Sequence, residues 1–201
     1  MNRDIANIVK DKISDLPFID RISGLVRTLS YTETVDGQTY QYKYPISCDV
    51  TYDDCVNNER YKDMIPNSDL RSLIYFEDNG ANILDSNGRG INFTSNIRLV
   101  CWLNIKKFDT TDCSVSGYVA SHIIRRLLTS GRFSSGIYND IHFVISQIPE
   151  KTSNIFQYYT YSEASTQYLL YPYDYFALDI KVMYSVMYNC LINIDNADII
   201  C

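Results

Sequence analysis

Apolar residues recur along the chain with two different periods, which predict two helices and several long strands. Near the N-terminus they follow the three- and four-residue spacing typical of a helix, at Ile5, Ile8, Val9 and Ile13. Pro17 is expected to end this helix. The same spacing predicts a second helix over 115–129, whose buried stripe is Val115, Val119, Ile123 and Leu127. Asp112 is its predicted N-cap and Gly131 its left-handed end.

Alternation of apolar and polar residues predicts strands over 18–35, 38–50, 70–76, 96–108, 137–148 and 175–192. Asp36-Gly37, between the first two, is a strong two-residue hairpin signal. The return strand places four residues on one face: Tyr40, Tyr42, Tyr44 and Ile46. The last strand does the same with Phe176, Leu178, Ile180, Val182, Tyr184, Val186 and Tyr188. Because it runs for about 18 residues, far beyond the usual length, we expect it to pair with a neighbouring chain or to bend at a bulge.

These elements predict a single α+β domain over 1–192, in which a mainly antiparallel sheet with long strands packs against two helices. The length of 201 residues suits one domain, and no repeat or linker divides the chain. A hairpin or loop at about 79–94 and a Tyr-rich loop at about 151–172 are expected to project. Residues 51–69 are expected to form a short helix or a long loop, and 193–201 a C-terminal tail.

The unusual feature of the composition is tyrosine, with 18 residues. A tyrosine has a large apolar body and a polar tip, so it is enriched at protein interfaces, although it is also a good strand residue. The net charge of −6 argues against a general nucleic-acid binder, which needs Lys and Arg to contact phosphates. It is compatible with an acidic wall that DNA passes without adhering.

The cysteines and the apolar runs indicate in which cellular compartment the protein is expected. None of the six cysteines forms a C-x-x-C pair: Cys48, Cys55, Cys101, Cys113, Cys190 and Cys201. The N-terminus lacks the apolar core of a signal peptide, and the longest apolar run, 175–192, is interrupted by Asp179 and Lys181. We therefore expect reduced thiols in a cytosolic setting and no membrane anchor.

No group of residues predicts catalysis, a metal site or a cofactor. His122 and His142 are not at metal-binding spacing and are expected to be structural. The Gly88-Arg89-Gly90 sequence lacks the third glycine of a nucleotide-binding loop, so it predicts a turn. A hydrolase or nuclease would have to use carboxylates, for which the candidates are Asp49, Asp53 and Asp54. We expect a protein that is not an enzyme and has no cofactor.

Several segments carry a resemblance to a known family. They are the opening helix, PFIDRISGLV at 17–26, YPISC at 44–48, SLIYFED at 72–78 and IRLVCWLN at 97–104. Their order resembles the head–tail connector, or neck ring, proteins of crAss-like tailed phages that infect gut Bacteroidetes. The outline of helices and sheet is also similar to tail-terminator and tail-completion proteins. The resemblance covers most of residues 1–190.

The resemblance implies a structural virion protein that is assembled in the bacterial cytoplasm and located in the neck or tail. It implies a homo-oligomeric ring of sixfold or twelvefold symmetry. The portal and other neck or tail proteins would be its partners, and genomic DNA would pass through the lumen without sequence-specific binding. Projecting hairpins and Tyr-rich loops suit contacts between neighbours in such a ring. The candidate interface residues are Asn79, Gly80, Asn87, Gly88, Arg89, Tyr158, Tyr159, Tyr161, Tyr168, Tyr171 and Tyr173.

Two alternatives to the ring subunit stay open. In a receptor- or glycan-binding module of a phage tail, the Tyr-rich segment at 151–172 would form the ligand surface. A hydrolase or nuclease built on the three carboxylates named above is the lower alternative.

Overall fold

The computed structural model describes residues 1–49, 63–87, 90–108, 114–149, 155–156, 158–160 and 170–187. Within these residues, eight strands form one sheet, with two α-helices packed against it. The helices are α1 (Asn2–Ile13) and α2 (Val115–Thr129). The strands are β1 (Arg21–Val35), β2 (Gln38–Ser47), β3 (Ser72–Asp78), β4 (Ile83–Asn87), β5 (Gly90–Asn104), β6 (Phe133–Ser135), β7 (Tyr138–Gln147) and β8 (Tyr173–Met187). The predicted α+β class is confirmed.

The sheet is built around two long central strands. Its order is β2-β1-β3-β5-β8-β7-β6. β4 pairs with β5 on the same side as β3, but nearer the start of β5. β5 and β8 pair over their full 15 residues, from Gly90 opposite Met187 to Asn104 opposite Tyr173. Every strand pair is antiparallel apart from β1 and β3. β8, the last strand, is therefore an interior strand of the sheet. All 15 of its residues pair with β5 of the same chain, so its length does not require pairing with a neighbouring chain.

The main core lies between one face of the sheet and the two helices. The predicted stripe of α2 is buried there, as are the alternate residues of β8 from Phe176 to Val186. A second apolar cluster covers part of the opposite face and contains Trp102, Tyr75 and Ile155. Because β5 and β8 are covered on both faces along this part, the molecule has a rigid centre from which other elements can project.

Several predicted boundaries differ from the structure. The N-cap of α2 is Ser114, not Asp112, whereas Gly131 has the predicted left-handed backbone with φ of 63°. β5 begins at Gly90 and not at residue 96, and it ends at Asn104, where a short 3-10 helix takes over. β1 begins at Arg21 because the Ser72 hydroxyl bonds the backbone of residues 18 and 20 in a loop. Residues 51–62 and 188–201, with the predicted tail, lie outside the described residues.

Candidate subunit interface

The β1–β2 hairpin extends beyond the sheet and forms an arm, defined here as residues 27–43. β1 pairs with β3 only as far as Leu25, but it pairs with β2 as far as Val35. The ten residues between them span about 30 Å at the usual rise of a strand. The arm ends at Asp36 and Gly37, whose φ angles of 52° and 79° are those of a type I′ turn. The predicted hairpin turn is thus confirmed.

The arm has two chemically different faces. On one face Tyr40, Tyr42 and Tyr44 form a ladder, with ring centroids 6.4 and 6.2 Å apart. Tyr44 is buried in the second apolar cluster at the base of the arm, whereas Tyr40 is exposed near its tip. The opposite face is polar and consists of Thr28, Ser30, Thr32, Thr34, Thr39, Gln41 and Lys43. The arm is therefore anchored at its base and presents a different surface on each side.

A short segment, 158–160, fastens the base of the arm to the sheet. The backbone N–H of Lys43 donates to the Thr160 carbonyl at 3.1 Å, and the Thr160 N–H donates back at 2.9 Å. The Tyr159 ring meets the buried Tyr75 ring edge-on, with centroids 6.2 Å apart. One side of β2 is therefore partly covered at the base of the arm.

Beneath this segment, a row of charged side chains crosses three strands. Arg98 lies between Glu77 on β3 and Asp179 on β8. Its Nε and Nη2 donate to the two carboxylate oxygens of Asp179 at 2.7 and 3.1 Å. Burial raises the pKa of Glu77, although a hydrogen bond with Tyr159 and the charge of Arg98 oppose that rise. The hydrogen bond to Asp179 raises the pKa of Arg98. The Arg98–Asp179 ion pair therefore supports the register of β5 and β8, and the charge of Arg98 also acts on Glu77 of β3.

The predicted projection at 79–94 is a strand and a loop on the rim of the sheet. The Asn79 N–H donates to the Asn96 carbonyl at 3.1 Å, and Gly80 has a φ of 106°. β4 then pairs with β5, and its Ile83 and Leu84 are exposed at 62% and 61%. In the predicted turn after β4, the backbone of Asn87 pairs with that of Gly90. Gly88 and Arg89 lie outside the described residues.

The tyrosines of the second predicted projection are divided between buried and exposed positions. Tyr159 and Tyr173 are partly buried, with Tyr173 stacked on Trp102 at 5.0 Å between centroids. Tyr158 and Tyr171 are exposed, Tyr171 at 77%. Tyr161 and Tyr168 lie outside the described residues. Burial of two of these rings shows that part of the Tyr-rich segment serves the fold of the subunit itself.

Asn87 and Tyr173, two of the predicted interface residues, lie at opposite ends of the central strands. Asn87 pairs at the Gly90 end of β5, whereas Tyr173 pairs at the Asn104 end. A strand of 15 residues spans about 45 Å, so these ends are far apart. An interface that used both Asn87 and Tyr173 would therefore have to contact two different neighbours or extend along the whole sheet.

The residues considered for chemistry do not assemble into a site in the described part of the chain. His122 packs against the Tyr118 ring on α2, and His142 lies on β7. The Asp49 carboxylate accepts a hydrogen bond from Arg3 at 2.8 Å, while Asp53 and Asp54 lie outside the described residues. Among the described side chains, no group of three or more His, Cys, Asp or Glu is placed to hold a metal ion.

Two of the six cysteines fall within the described residues, and both are free thiols. Cys101 is fully buried in the main core, and this burial raises its pKa well above the ordinary value. Cys48 is half-buried and its pKa is also raised, mainly by burial. A raised pKa keeps a thiol protonated and poorly nucleophilic at neutral pH.

Sequence reasoning predicted the arm as a hairpin but not as a candidate interface. The available signal was the run at 28–35, which contains no Lys, Arg or Pro. Strands exposed at a sheet edge usually carry such residues, because they discourage pairing with other chains. Apart from Glu33, the run has no residue of this protective kind, which leaves the edge available for pairing.

None of the helices in the described residues is long and apolar enough to cross a membrane. Comparisons of the chain with protein-family models, with curated proteins and with solved structures find no match.

Proposed function

We propose that this chain is a non-catalytic structural subunit of a homo-oligomeric ring in the head–tail connector or tail of a tailed phage. The observation that carries the proposal is the arm, a two-stranded hairpin that reaches about 30 Å beyond its last pair with β3. An isolated two-stranded ribbon is at best marginally stable in water. Contact with a neighbouring subunit would stabilise this ribbon, which supports an assembly over a solitary protein.

A ring is favoured over a twofold dimer by the arrangement of the projections. The arm lies at the β2 side of the sheet, and β6 and β7 form the other side. Contacts between two different surfaces of identical chains close into rings when the rotation permits. The net charge of −6 suits a channel wall, since like charge keeps the DNA backbone from adhering. In this proposal the ring joins portal to tail and DNA passes through its lumen.

Mass photometry and negative-stain imaging of the purified full chain test this proposal. We expect particles of six or twelve times the chain mass of 23.2 kDa, formed by the chain alone or on addition of portal rings. Class averages should show a ring with a central opening. A chain that stays monomeric at high concentration, and that neither binds nor assembles on portal rings, would overturn the proposal.

A receptor- or glycan-binding module is the second candidate, and the observation that favours it is the exposure of Leu170 and Tyr171, at 67% and 77%. Exposed aromatic rings provide stacking surfaces for ligands. Glycan-array binding that is lost in Tyr171→Ala, but kept in a Tyr40→Ala control, would support this candidate. No binding by the intact chain to glycans or host cells would exclude it.

A further inference from the structure

We infer that the arm of one copy adds the outer edge of its β1 to the outer edge of β7 in a second copy, so that the sheet continues from subunit to subunit. This inference rests on the proposed ring function and specifies the contact that builds the ring. It concerns the backbone groups of the two strands, so the first step is to establish which of these groups are open.

The turn of the arm determines which way each backbone group points. In a hairpin with a two-residue turn, the flanking residues, here Val35 and Gln38, exchange hydrogen bonds with each other. Along β1, the backbone groups of successive residues then point alternately toward and away from β2. The N–H and C=O groups point away from β2 at Thr28, Ser30, Thr32 and Thr34. The same alternation makes Lys43 point outward on β2, which agrees with its two hydrogen bonds to Thr160.

The β1 side of the arm is open in the part of the chain that the structure describes. Its pairing with β3 ends at Leu25, and no described strand pairs with it beyond that residue. The pairing with β2 is continuous from Val26 to Val35, without a bulge. The result is a regular edge of about eight residues with free donors and acceptors, which is a template for another strand.

The two sides of the arm differ in how well they are protected. The β2 side carries Lys43 and Pro45 at outward-pointing positions and is covered by Thr160. Charged residues and proline are the usual means of blocking a sheet edge. On the β1 side, Arg27 and Glu33 lie at positions bonded to β2, and the outward-pointing positions 28, 30, 32 and 34 carry neither a charge nor a proline and are rich in threonine, which favours strands. This difference directs pairing to β1.

A second open edge lies at the opposite side of the sheet, on β7. The short β6 covers β7 only from Tyr138 to Ile141. The Asp179 carbonyl accepts a hydrogen bond from Ser146 on β7, so alternation along β8 makes Lys181 and its partner Val144 face each other. The backbone groups of Phe143 and Ile145 therefore point to the open side. Nearby Val144 and Ile148 are exposed at 41% and 55%, so apolar side chains flank this edge. Within the part of the chain that the structure describes, β7 thus offers a short edge with unpaired backbone groups and an apolar border.

Charge complementarity favours joining the arm to β7 of a second copy. The distal arm, 30–42, contains Glu33 and Asp36 and no Lys or Arg. Lys181 lies opposite Val144 in the β7–β8 ladder, is exposed, and has no ion-pair partner among the described residues. Pairing two arms with each other would instead bring the acidic residues of both copies together, which is unfavourable. The contact therefore joins two different edges, as a closed ring requires.

Proline substitution separates the two sides of the arm. Thr32 and Gln41 are directly opposite each other, and each points its N–H outward. Thr32→Pro removes a donor from the β1 edge, and Gln41→Pro is the matched control, because it removes one from the β2 edge. We expect Thr32→Pro to weaken assembly about tenfold or more, while Gln41→Pro changes it less than about twofold. Melting temperatures of both variants establish that the body stays folded.

Charge reversal tests whether the arm of one copy contacts the β7 side of a second copy. Glu33→Lys and Lys181→Glu should each weaken assembly, and a mixture of the two variants should regain part of the lost affinity at their mutual contacts. Cysteine cross-linking provides an independent measurement, since Thr32→Cys and Val144→Cys should cross-link when the two variants are mixed but not when either is alone. Peptide mapping by mass spectrometry identifies the bond against the native cysteines.

The outcomes distinguish this inference from the proposed function. Rings that form equally well from Thr32→Pro and from the wild-type chain, with no mixed cross-link, would overturn the inference and leave the ring function intact. Cross-linking of Thr32→Cys with itself would show that arms pair with arms, which also overturns it. A wild-type chain that forms no ring, alone or with portal rings, would overturn both.

Discussion

Replacement of Arg98 by Met removes the cation from the centre of a buried charge row. The guanidinium makes two hydrogen bonds to Asp179, and its side chain is only 16% exposed, that of Asp179 9%. Glu77 on the other side is also buried. The substitution keeps most of the apolar length of the side chain, so the loss is mainly one of charge and hydrogen bonding.

The expected loss follows from these contacts. Removal of one partner of a buried ion pair typically costs about 3–5 kcal/mol, because the remaining charge is left buried and unpaired. The residual exposure of Arg98 places the expected value at the lower end, at about 3 kcal/mol. A chain of this size has a urea m-value of about 2.5 kcal/mol/M, so the midpoint of unfolding should fall by about 1 M.

Urea unfolding followed by circular dichroism measures this change, and Arg132→Met is the matched control. Arg132 pairs with Asp140 at 2.5 Å, but both side chains are more than half exposed. Its loss should cost well under about 1 kcal/mol. If Arg98→Met were no more destabilising than Arg132→Met, the assignment of a structural role to the buried row would be wrong.

Three further predictions, which use five substitutions, test other parts of the fold. Burial raises the pKa of Glu77 above its ordinary value of 4.5, so stability is lost as the pH rises through the raised pKa and the carboxyl ionises. Glu77→Gln should therefore gain stability relative to wild type as the pH rises above 4.5, as measured by urea titrations at a series of pH values. Gly117→Ala should raise the melting temperature, because an added Cβ on α2 meets nothing within 4 Å, whereas Gly90→Ala should lower it, since its Cβ would lie 2.7 Å from the Val186 carbonyl. Leu127→Ala should cost about 2–5 kcal/mol by chemical denaturation, and the exposed Leu128→Ala less than about 0.5 kcal/mol; equal losses would place the buried stripe of α2 elsewhere.

The helices and the last strand were predictable because burial alone determines their pattern. The bounds of α2 agree with the structure, since its apolar residues face one core and Gly131 ends it. On β8, alternate residues face the main core from Phe176 onwards. Where one face of an element is buried along its full length, the period of the sequence contains the needed information.

Other features were not predictable because they depend on strand pairing and not on burial. The first part of β5, including Asn92 and Thr94, has polar residues and is a strand because β4 and β8 pair with it on both sides. The parallel pairing of β1 with β3 joins strands separated by β2. The same holds for the candidate interface, since the open side of β1 becomes visible only when its neighbours are placed.

The arm is suited to binding because contacts within its own subunit order part of it in advance. A type I′ turn sets its twist, the tyrosine ladder stiffens one face, and the bonds between Lys43 and Thr160 hold its base. Ordering a flexible segment on binding consumes part of the interaction free energy. Partial ordering by these internal contacts lowers that cost, which supports the inferred addition of the arm to the short edge at Phe143 and Ile145.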